Sequence, residues 1–329
     1  MGKDMALPYR SYAEDCKKAF GSRLQKLSVH AGFTCPNRDG RCGVGGCTYC
    51  DNAAFNPSYC RRVGDIRTQL EEGKRFHAWR YRKASKYVAY FQTYSNTYAP
   101  LDVLKARYEE ALSVEGIEGL IVSTRPDCLP DETLAYLADL SRRCYVRVEI
   151  GIESCYDATL RRINRGHDMA CTRDAYRRAA AHGLACGGHL MFGLPGESRA
   201  DMVAQAALLS ELPALDSLKL HQLQIIKHTA MAAEYEAHPE RFSFFTVDEY
   251  VELVVDFLER LSPHIRIERL AGEVPPRFLG GPAFGLRSER VAERIVARMQ
   301  ARGTWQGRLY GGERQPDVSF ATPKTRADR

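Results

Sequence analysis

The sequence predicts an α/β protein in which helices cover a parallel sheet. Two observations support this class. Six short apolar segments alternate with amphipathic segments of helical period, and a chain of 329 residues with 44% hydrophobic content can bury one large core. Periodicity leaves open whether these units form an open doubly wound sheet or a curved partial barrel. Both architectures place functional residues at the carboxyl ends of the strands.

The candidate strands are short apolar runs between residues 26 and 222. They read KLSVHA (26–31), YVAYFQ (87–92), GLIVST (119–124), VRVEIG (146–151), GHLMFG (188–193) and SLKLHQ (217–222). Candidate helices occupy 101–114, 131–142 and 201–212, where apolar residues recur at helical spacing. We expect Asp248 to cap a later helix of the same kind.

The regular alternation ends at about Leu261 and gives way to a proline-rich stretch. We therefore divide the chain into an N-terminal extension (1–25), a core of strands and helices (26–262) and a C-terminal extension with a basic tail (263–329). No apolar run approaches the ~20 residues that a membrane span needs, and the amino terminus has no apolar signal core. Eleven cysteines without a secretory signal indicate a reducing, cytoplasmic setting.

Basic residues are concentrated in two segments, although the net charge is only +6. Segment 61–86 carries nine lysines and arginines against three acids and includes Phe76, Trp79 and Tyr81. The tail 287–329 carries ten basic and five acidic residues. Such a basic aromatic segment could hold a phosphate backbone and stack on bases, or it could be the solvated face of an amphipathic helix.

Cysteines are clustered in the stretch FTCPNRDGRCGVGGCTYCDN, directly after the first candidate strand. Cys35, Cys47 and Cys50 have the spacing C-x11-C-x2-C. Three thiolates from one loop would hold a four-iron cluster and leave the fourth iron free for a small molecule. Structural zinc, with Cys42 as the fourth thiol, is the alternative. Only one pair has the C-x2-C spacing that zinc sites usually use twice, which disfavours zinc.

Five motifs in this order resemble the radical S-adenosylmethionine (radical SAM) superfamily, and more narrowly its YhcC/YtqA-like group, which is related to the catalytic subunit of elongator. They are the cysteine loop, STRPDCLPDET, VEIGIES, LRRINRGHD and HLMFGLPGES. The resemblance implies a partial (β/α)6 barrel with a short C-terminal extension. It also implies that Cys35, Cys47 and Cys50 bind a [4Fe-4S] cluster whose open iron S-adenosylmethionine chelates. The reduced cluster would cleave S-adenosylmethionine to a 5′-deoxyadenosyl radical, which abstracts hydrogen from the substrate.

The same resemblance implies cofactor-binding roles for residues of the cysteine loop and of strands two, four and five. These are Tyr49 near the adenine, Gln92, Thr93 and Tyr94 near the methionyl amine, Glu153 and Arg165 near the methionyl and ribose groups, and His189 in the strand-five wall. Many members carry Gly-Gly-Glu after strand two, whereas this chain reads QTYSNTYAP, so the amine contact stays open. A GGE string at 311–313 lies far from strand two and is treated as a coincidence. Cys42 is expected not to be a ligand.

The kinship with elongator and the basic segments favour a transfer RNA substrate, modified at the group on carbon 5 of a wobble uridine. The substrate-side candidates are Lys219, His221, Arg269 and Glu273, with a capped strand and packed loop as the alternative reading of this region. A flavodoxin- or ferredoxin-type protein is the expected electron donor. Two other functions stay open: a radical enzyme acting on a small metabolite or cofactor precursor, and a non-catalytic, metal-stabilised nucleic-acid binding protein.

Overall fold

The computed structural model describes residues 6–60, 64–78 and 86–312. Within these residues one sheet contains seven parallel strands, and each strand pairs with the next one along the chain. The strands are β1 (Leu24–Val29), β2 (Lys86–Phe91), β3 (Ile117–Thr124), β4 (Tyr145–Glu153), β5 (Cys186–Phe192), β6 (Leu215–Gln222) and β7 (Arg266–Arg269). The strand order never reverses, which excludes the doubly wound alternative.

The sheet is strongly curled, because side chains of its first and last strands meet. Lys26 Nζ on β1 lies 2.6 Å from Glu268 Oε1 on β7, and 2.8 Å from Glu149 Oε1 on β4. These contacts require the sheet to bend around a common interior. The α/β partial barrel expected from the sequence is confirmed. All six candidate strands are present, with ends within two residues of those expected, and β7 is a seventh strand inside the segment that we assigned to the C-terminal extension.

Ten helices flank this sheet in the described residues. They are α1 (Tyr12–Phe20), α2 (Ile66–Ala78), α3 (Leu101–Leu112), α4 (Asp131–Leu140), α5 (Asp157–Arg162), α6 (Met169–Ala181), α7 (Arg199–Ser210), α8 (Ala230–Ala237), α9 (Val247–Arg260) and α10 (Ser288–Ala301). The three helices expected over 101–114, 131–142 and 201–212 are present as α3, α4 and α7, with shifted ends.

The later helix is present as α9, but the cap expected at Asp248 is wrong, because Thr246, two residues earlier, is the N-cap in a capping box. Thr246 Oγ1 accepts a hydrogen bond from the Glu249 backbone N–H at 3.2 Å. The Glu249 carboxylate accepts one in return from the Thr246 backbone N–H at 2.8 Å. This reciprocal pair satisfies two backbone donors that the helix itself leaves unpaired. Asp248 therefore lies in the first turn of α9.

The N-terminal extension packs against the edge of the sheet at which the strands begin. Tyr12 OH on α1 lies 2.7 Å from Tyr145 OH at the start of β4. Asp15 Oδ2 accepts a hydrogen bond from Arg266 Nε, at the start of β7, at 2.8 Å. This end of the barrel is thus closed by the protein itself. The opposite end, where the strands finish, holds the cysteine loop.

Two arginines of α10 and the arginine that caps it form ion pairs with α9. Arg294, Arg298 and Arg302 recur every four residues and therefore share one face of the helix. Arg298 Nε lies 2.5 Å from Glu252 Oε1, and Arg302 Nη1 lies 2.7 Å from Asp256 Oδ1. Much of the basic character of segment 287–302 is thus neutralised within the molecule.

Parts of the two basic segments fall outside the described residues. These parts include Trp79, Tyr81, Glu313 and the rest of the tail to residue 329. Phe76 is described and is exposed on α2. Ala78 ends α2 and Lys86 begins β2, so both lie at the sheet edge opposite the cysteine loop. A role for segment 61–86 in binding RNA stays a prediction.

Substituting Glu252→Gln is expected to lower the free energy of unfolding by less than about 1 kcal/mol, because half-exposed ion pairs are screened by water and salt. Urea unfolding at low and at high salt measures this effect. The loss should shrink as salt is added. A loss that is large and independent of salt would contradict a screened ion pair.

Candidate active site

A cavity opens at the carboxyl ends of the strands, between the cysteine loop and the far wall of the barrel. It is lined by Cys35, Cys47 and Cys50, by all seven candidate cofactor residues (Tyr49, Gln92, Thr93, Tyr94, Glu153, Arg165 and His189), and by Lys219, His221 and Arg269. Glu273 does not line it. Its carboxylate instead accepts hydrogen bonds from the backbone N–H and the hydroxyl of Ser288, at 3.0 and 3.1 Å.

The cysteine loop is held in shape by backbone hydrogen bonds. The Cys50 N–H donates to the Cys47 carbonyl at 3.1 Å, which turns the C-x2-C segment back on itself. The Gly46 N–H donates to the Asn37 carbonyl at 2.8 Å. Gly46 has a φ of +83°, and a Cβ there would lie 2.9 Å from Arg38 Nε. Glycine is therefore required at this position for both its backbone angle and its lack of a side chain.

The thiols that face the cavity are free and are surrounded by N–H donors. Arg165 Nη1 and Asn37 Nδ2 lie 3.5 and 3.7 Å from Cys47 Sγ. Arg125 Nη1 lies 3.9 Å from Cys35 Sγ. Guanidinium and amide donors of this kind stabilise the negative charge of thiolates and tune a cluster bound to them. The donor set therefore fits a [4Fe-4S] cluster held by thiolate ligands.

Cys42 belongs to a different part of the surface. It is exposed, its Sγ lies 3.8 Å from Asp127 Oδ2, and it lines a separate pocket together with Arg41. Among the residues that the structure describes, no three His, Cys, Asp or Glu side chains converge on one point that could hold a single ion. A cluster places each thiolate on a different iron and needs no such convergence. The geometry thus gives no support to a zinc site that includes Cys42.

Arg165 connects the cysteine loop with the end of β4. Its Nη2 donates to the Gly151 carbonyl at 2.7 Å and lies 3.4 Å from Glu153 Oε1. A Cβ at Gly151 would collide with this guanidinium, so glycine is what allows the close approach. Glu153 has a φ of +67°, an uncommon angle for a residue with a side chain, which often marks a functional position.

The segment QTYSNTYAP is anchored to the cysteine loop at the end of β2. The Ser95 N–H donates to the Thr34 carbonyl at 3.2 Å, and the Tyr94 N–H donates to Asn52 Oδ1 at 3.3 Å. Tyr94 adopts a φ of +64°. Buried Asn96, which we had not singled out, donates from its side chain to the carbonyls of Phe91 and Ser123 at 2.9 Å each. This segment therefore forms a defined wall of the cavity.

Polar and charged side chains from several strands form what we call the ionic layer: Lys26, Tyr90, Glu149, His189, Lys219 and Glu268. Four of them, Tyr90, Glu149, His189 and Lys219, line the inner wall of the cavity. Lys219 Nζ lies 2.6 Å from Glu149 Oε2 and 3.1 Å from Tyr90 OH. His189 Nε2 lies 3.1 Å from the same carboxylate oxygen. Burial by itself would raise the pKa of Glu149, but Lys219 and Lys26 hold that pKa well below its usual range.

The ionic layer changes the interpretation of Lys219. We expected a contact with substrate, and Lys219 does line the cavity, but its ammonium group also forms a buried ion pair with Glu149. A contact between Lys219 and substrate stays a prediction. The signal for this layer was present in the sequence, since Glu149 and Lys219 are charged residues between apolar neighbours in two candidate strands. A charged residue inside a buried strand needs a partner. The sequence alone did not show which partner each residue has.

Comparison with protein families identifies the chain. Residues 37–209 match the family model of the radical SAM superfamily, and residues 215–301 match that of the radical SAM C-terminal domain. The chain belongs to the radical SAM superfamily. It is a radical SAM enzyme, and its cofactors are a [4Fe-4S] cluster and S-adenosylmethionine. The hypothesis of a non-catalytic nucleic-acid binding protein is thereby set aside.

Individual relatives support this assignment. The chain is 35% identical to YtqA of Bacillus subtilis over 304 residues, 92% of each protein, and 36% identical to YhcC of Escherichia coli over 274 residues, 83% of this chain and 86% of YhcC. It is 28% identical to elongator complex protein 3 of Danio rerio over 201 residues, 60% of this chain and 35% of that protein.

A solved structure shares the fold. The archaeal Elp3 of Methanocaldococcus infernus superposes with a TM-score of 0.64 at 16% identity, covering 86% of this chain and 64% of that one. The elongator relatives are thus considerably longer than the part that this chain matches. None of the described helices of this protein is long and apolar enough to cross a membrane.

Proposed function

We propose that this radical SAM enzyme acts on transfer RNA and modifies the group on carbon 5 of a wobble uridine. The observation that carries the proposal is the relationship to elongator complex protein 3, which extends over 60% of this chain. The group of motifs that resembles the catalytic subunit of elongator belongs to the same region. A radical enzyme acting on a small metabolite or cofactor precursor is the alternative.

We assign the cluster to Cys35, Cys47 and Cys50, because all three line one cavity and N–H donors lie near the sulfurs of Cys35 and Cys47. When bound, the cluster and S-adenosylmethionine supply a 5′-deoxyadenosyl radical that abstracts hydrogen from the substrate. Arg165 would neutralise thiolate charge and bind the carboxylate of S-adenosylmethionine, as a guanidinium can do with two parallel hydrogen bonds.

The remaining cofactor residues surround the same space in this proposal. Tyr49, Gln92, Thr93, Tyr94, Glu153 and His189 line the cavity from three sides. They would orient S-adenosylmethionine and exclude water from the radical. A flavodoxin- or ferredoxin-type protein of the cytoplasm would supply the electron.

Deleting the gene is expected to change the amount of at least one modified nucleoside in transfer RNA. Digested transfer RNA from deletion cells, analysed by mass spectrometry, measures this change. Returning the wild-type gene to these cells should restore the nucleoside, because the enzyme with its cluster is again present to produce the radical. A gene carrying Cys35→Ala, Cys47→Ala and Cys50→Ala should not restore it.

The controls separate the substrate from the enzyme class. A Cys42→Ala gene should restore the nucleoside as wild type does. An unchanged nucleoside profile in deletion cells would exclude transfer RNA as the substrate. If the purified protein still released 5′-deoxyadenosine in that case, the alternative of a small substrate would replace the proposal.

A further inference from the structure

We propose that the corner of the cavity between β6 and β7 binds an anionic group of the substrate, with Arg269 as the charged donor and His221 and Gln224 as hydrogen-bonding partners. The identity of the anion rests on the proposed function: for transfer RNA it is a backbone phosphate. A carboxylate of a small metabolite has the same chemistry and is the other source.

Two other arginines at the cavity have acidic partners, whereas Arg269 has none among the described residues. Arg125 pairs with Asp127 at 2.8 Å, and Arg165 lies beside Glu153. None of the described residues forms an ion pair or a hydrogen bond with the Arg269 guanidinium, and the side chain is exposed at the cavity. It is therefore a cation that is available to a ligand.

The acids near this corner are already occupied. Glu268 Oε1 lies 2.6 Å from Lys26 Nζ and 3.3 Å from Lys219 Nζ. The Glu273 carboxylate accepts two hydrogen bonds from Ser288. Lys219 is in turn committed to Glu149. Arg269 therefore keeps its positive charge available at the cavity, which favours an anion over a neutral or cationic group.

Strand pairing brings the three proposed residues to the same corner. Arg269 on β7 pairs in register with Lys219 on β6, and His221 lies two residues further along β6, on the same face of the strand. His221, Gln224 and Arg269 all line the cavity. Beyond β7 the chain returns over the end of β6, because Gln222 and Gly272 exchange two hydrogen bonds of 2.9 Å.

The returning chain packs closely on His221. A Cβ at Gly272 would lie 2.9 Å from His221 Nδ1 and 3.5 Å from Gln224 Oε1. Glycine at this position thus leaves room for both side chains. The contact also restricts the imidazole ring, whose centroid lies 5.8 Å from that of His189.

His221 has hydrogen-bonding capacity that the described residues do not use. Its Nε2 is buried and has no hydrogen-bond partner among them. A buried polar atom without a partner is destabilising, so an oxygen atom of a bound ligand that pairs with this nitrogen would remove that cost. Burial, together with Arg269, His189 and Lys219, holds the pKa of His221 well below its usual range. The neutral ring can still donate one hydrogen bond to an anion.

Chemical modification of arginines tests the site, and the measurement depends neither on catalytic turnover nor on a bound cluster. Phenylglyoxal reacts with accessible arginines, and peptide mass spectrometry follows each arginine separately in the full-length protein. Inorganic phosphate, compared with chloride at equal ionic strength, is expected to slow the modification of Arg269 by at least about threefold, since a bound anion covers a guanidinium. Arg142, which is 81% exposed and follows α4 at the opposite edge of the sheet, is the internal reference and should be unaffected.

Three probes distinguish the sources of the anion. Protection of Arg269 by phosphate or by acetate supports the site, and protection by transfer RNA assigns it to RNA. Protection by acetate but not by transfer RNA assigns it to a carboxylate. No protection by any of the three overturns the inference. Because this measurement needs no radical chemistry, its failure is distinct from failure of the proposed function.

Two variants and a matched control, Arg142→Gln, sharpen the result. Gly272→Ala, which pushes on His221, should reduce protection by phosphate while leaving Arg142 unchanged. If transfer RNA is the ligand, Arg269→Gln should weaken its binding and lower the slope of log affinity against log salt by about one, as loss of one phosphate contact does. Arg142→Gln removes the same charge elsewhere and should change neither quantity. Equal effects of the two substitutions on transfer RNA binding would overturn the assignment of Arg269.

Discussion

Replacing Cys35, Cys47 and Cys50 together by alanine is expected to abolish cluster binding and, with it, all cleavage of S-adenosylmethionine. The three thiols line one cavity, and N–H donors lie near the sulfurs of Cys35 and Cys47. Without thiolates the irons have no ligands there. Iron content and visible absorption after anaerobic reconstitution measure the cluster, and 5′-deoxyadenosine released after reduction measures cleavage.

Cys42→Ala is the matched control, since it removes a thiol from the same loop. Its sulfur lies beside Asp127 and lines another pocket, so the variant should keep both the cluster and the cleavage activity. Loss of the cluster in Cys42→Ala alone would show that our assignment of the ligands is wrong. A circular dichroism spectrum of each variant checks that the barrel still folds.

Replacing Lys219 by methionine is expected to lower the free energy of unfolding by about 3 kcal/mol, because it leaves the buried Glu149 carboxylate with one ammonium partner in place of two. The side chains of Lys219 and Glu149 are 3% and 1% exposed, so water cannot take the place of the lost charge. The midpoint of urea unfolding, followed by circular dichroism, measures the loss.

A second substitution tests the cause. Adding Glu149→Gln to Lys219→Met should recover part of the stability, because it removes a buried carboxylate charge that Lys26 alone compensates only in part. Lys26→Met is expected to cost less, since its side chain is 22% exposed and solvent screens the loss. If Lys219→Met unfolded at the same urea concentration as the wild type, the ionic layer would not be a source of stability.

The parts of the fold that could be predicted are those with a local cause. Apolar runs of the right length indicated six strands, and four helices, α3, α4, α7 and α9, followed from residues at helical spacing. The seventh strand was missed because β7 is only four residues long and reads RIER, which lacks an apolar run. Backbone pairing with β6 makes this segment a strand, although its own sequence does not indicate one.

The candidate site also has a part that the sequence could predict and a part that it could not. Most of the cofactor residues lie near the ends of strands or in the cysteine loop, where a parallel sheet gathers side chains regardless of their distance along the chain. Arg165, between α5 and α6, and His189, within β5, are the exceptions. Their roles stay a prediction, but all of them line one cavity. Glu273 was expected near the cavity mouth as part of the segment RLAGEVPP, yet its carboxylate accepts hydrogen bonds from Ser288 and does not line the cavity.

By itself the sequence determined the class of chemistry, since the spacing of three cysteines in one loop and the order of strands and helices are properties of the chain. Only the tertiary structure decided which charges are available. Lys219 and Glu149 are seventy residues apart yet form a buried pair, and Arg298 and Arg302 are paired with acids of α9. None of the described residues pairs with the Arg269 guanidinium, so its charge is available to a ligand. The physical reason is that Coulomb and hydrogen-bond energies depend on distances in space, which curling of the sheet sets and spacing along the chain does not.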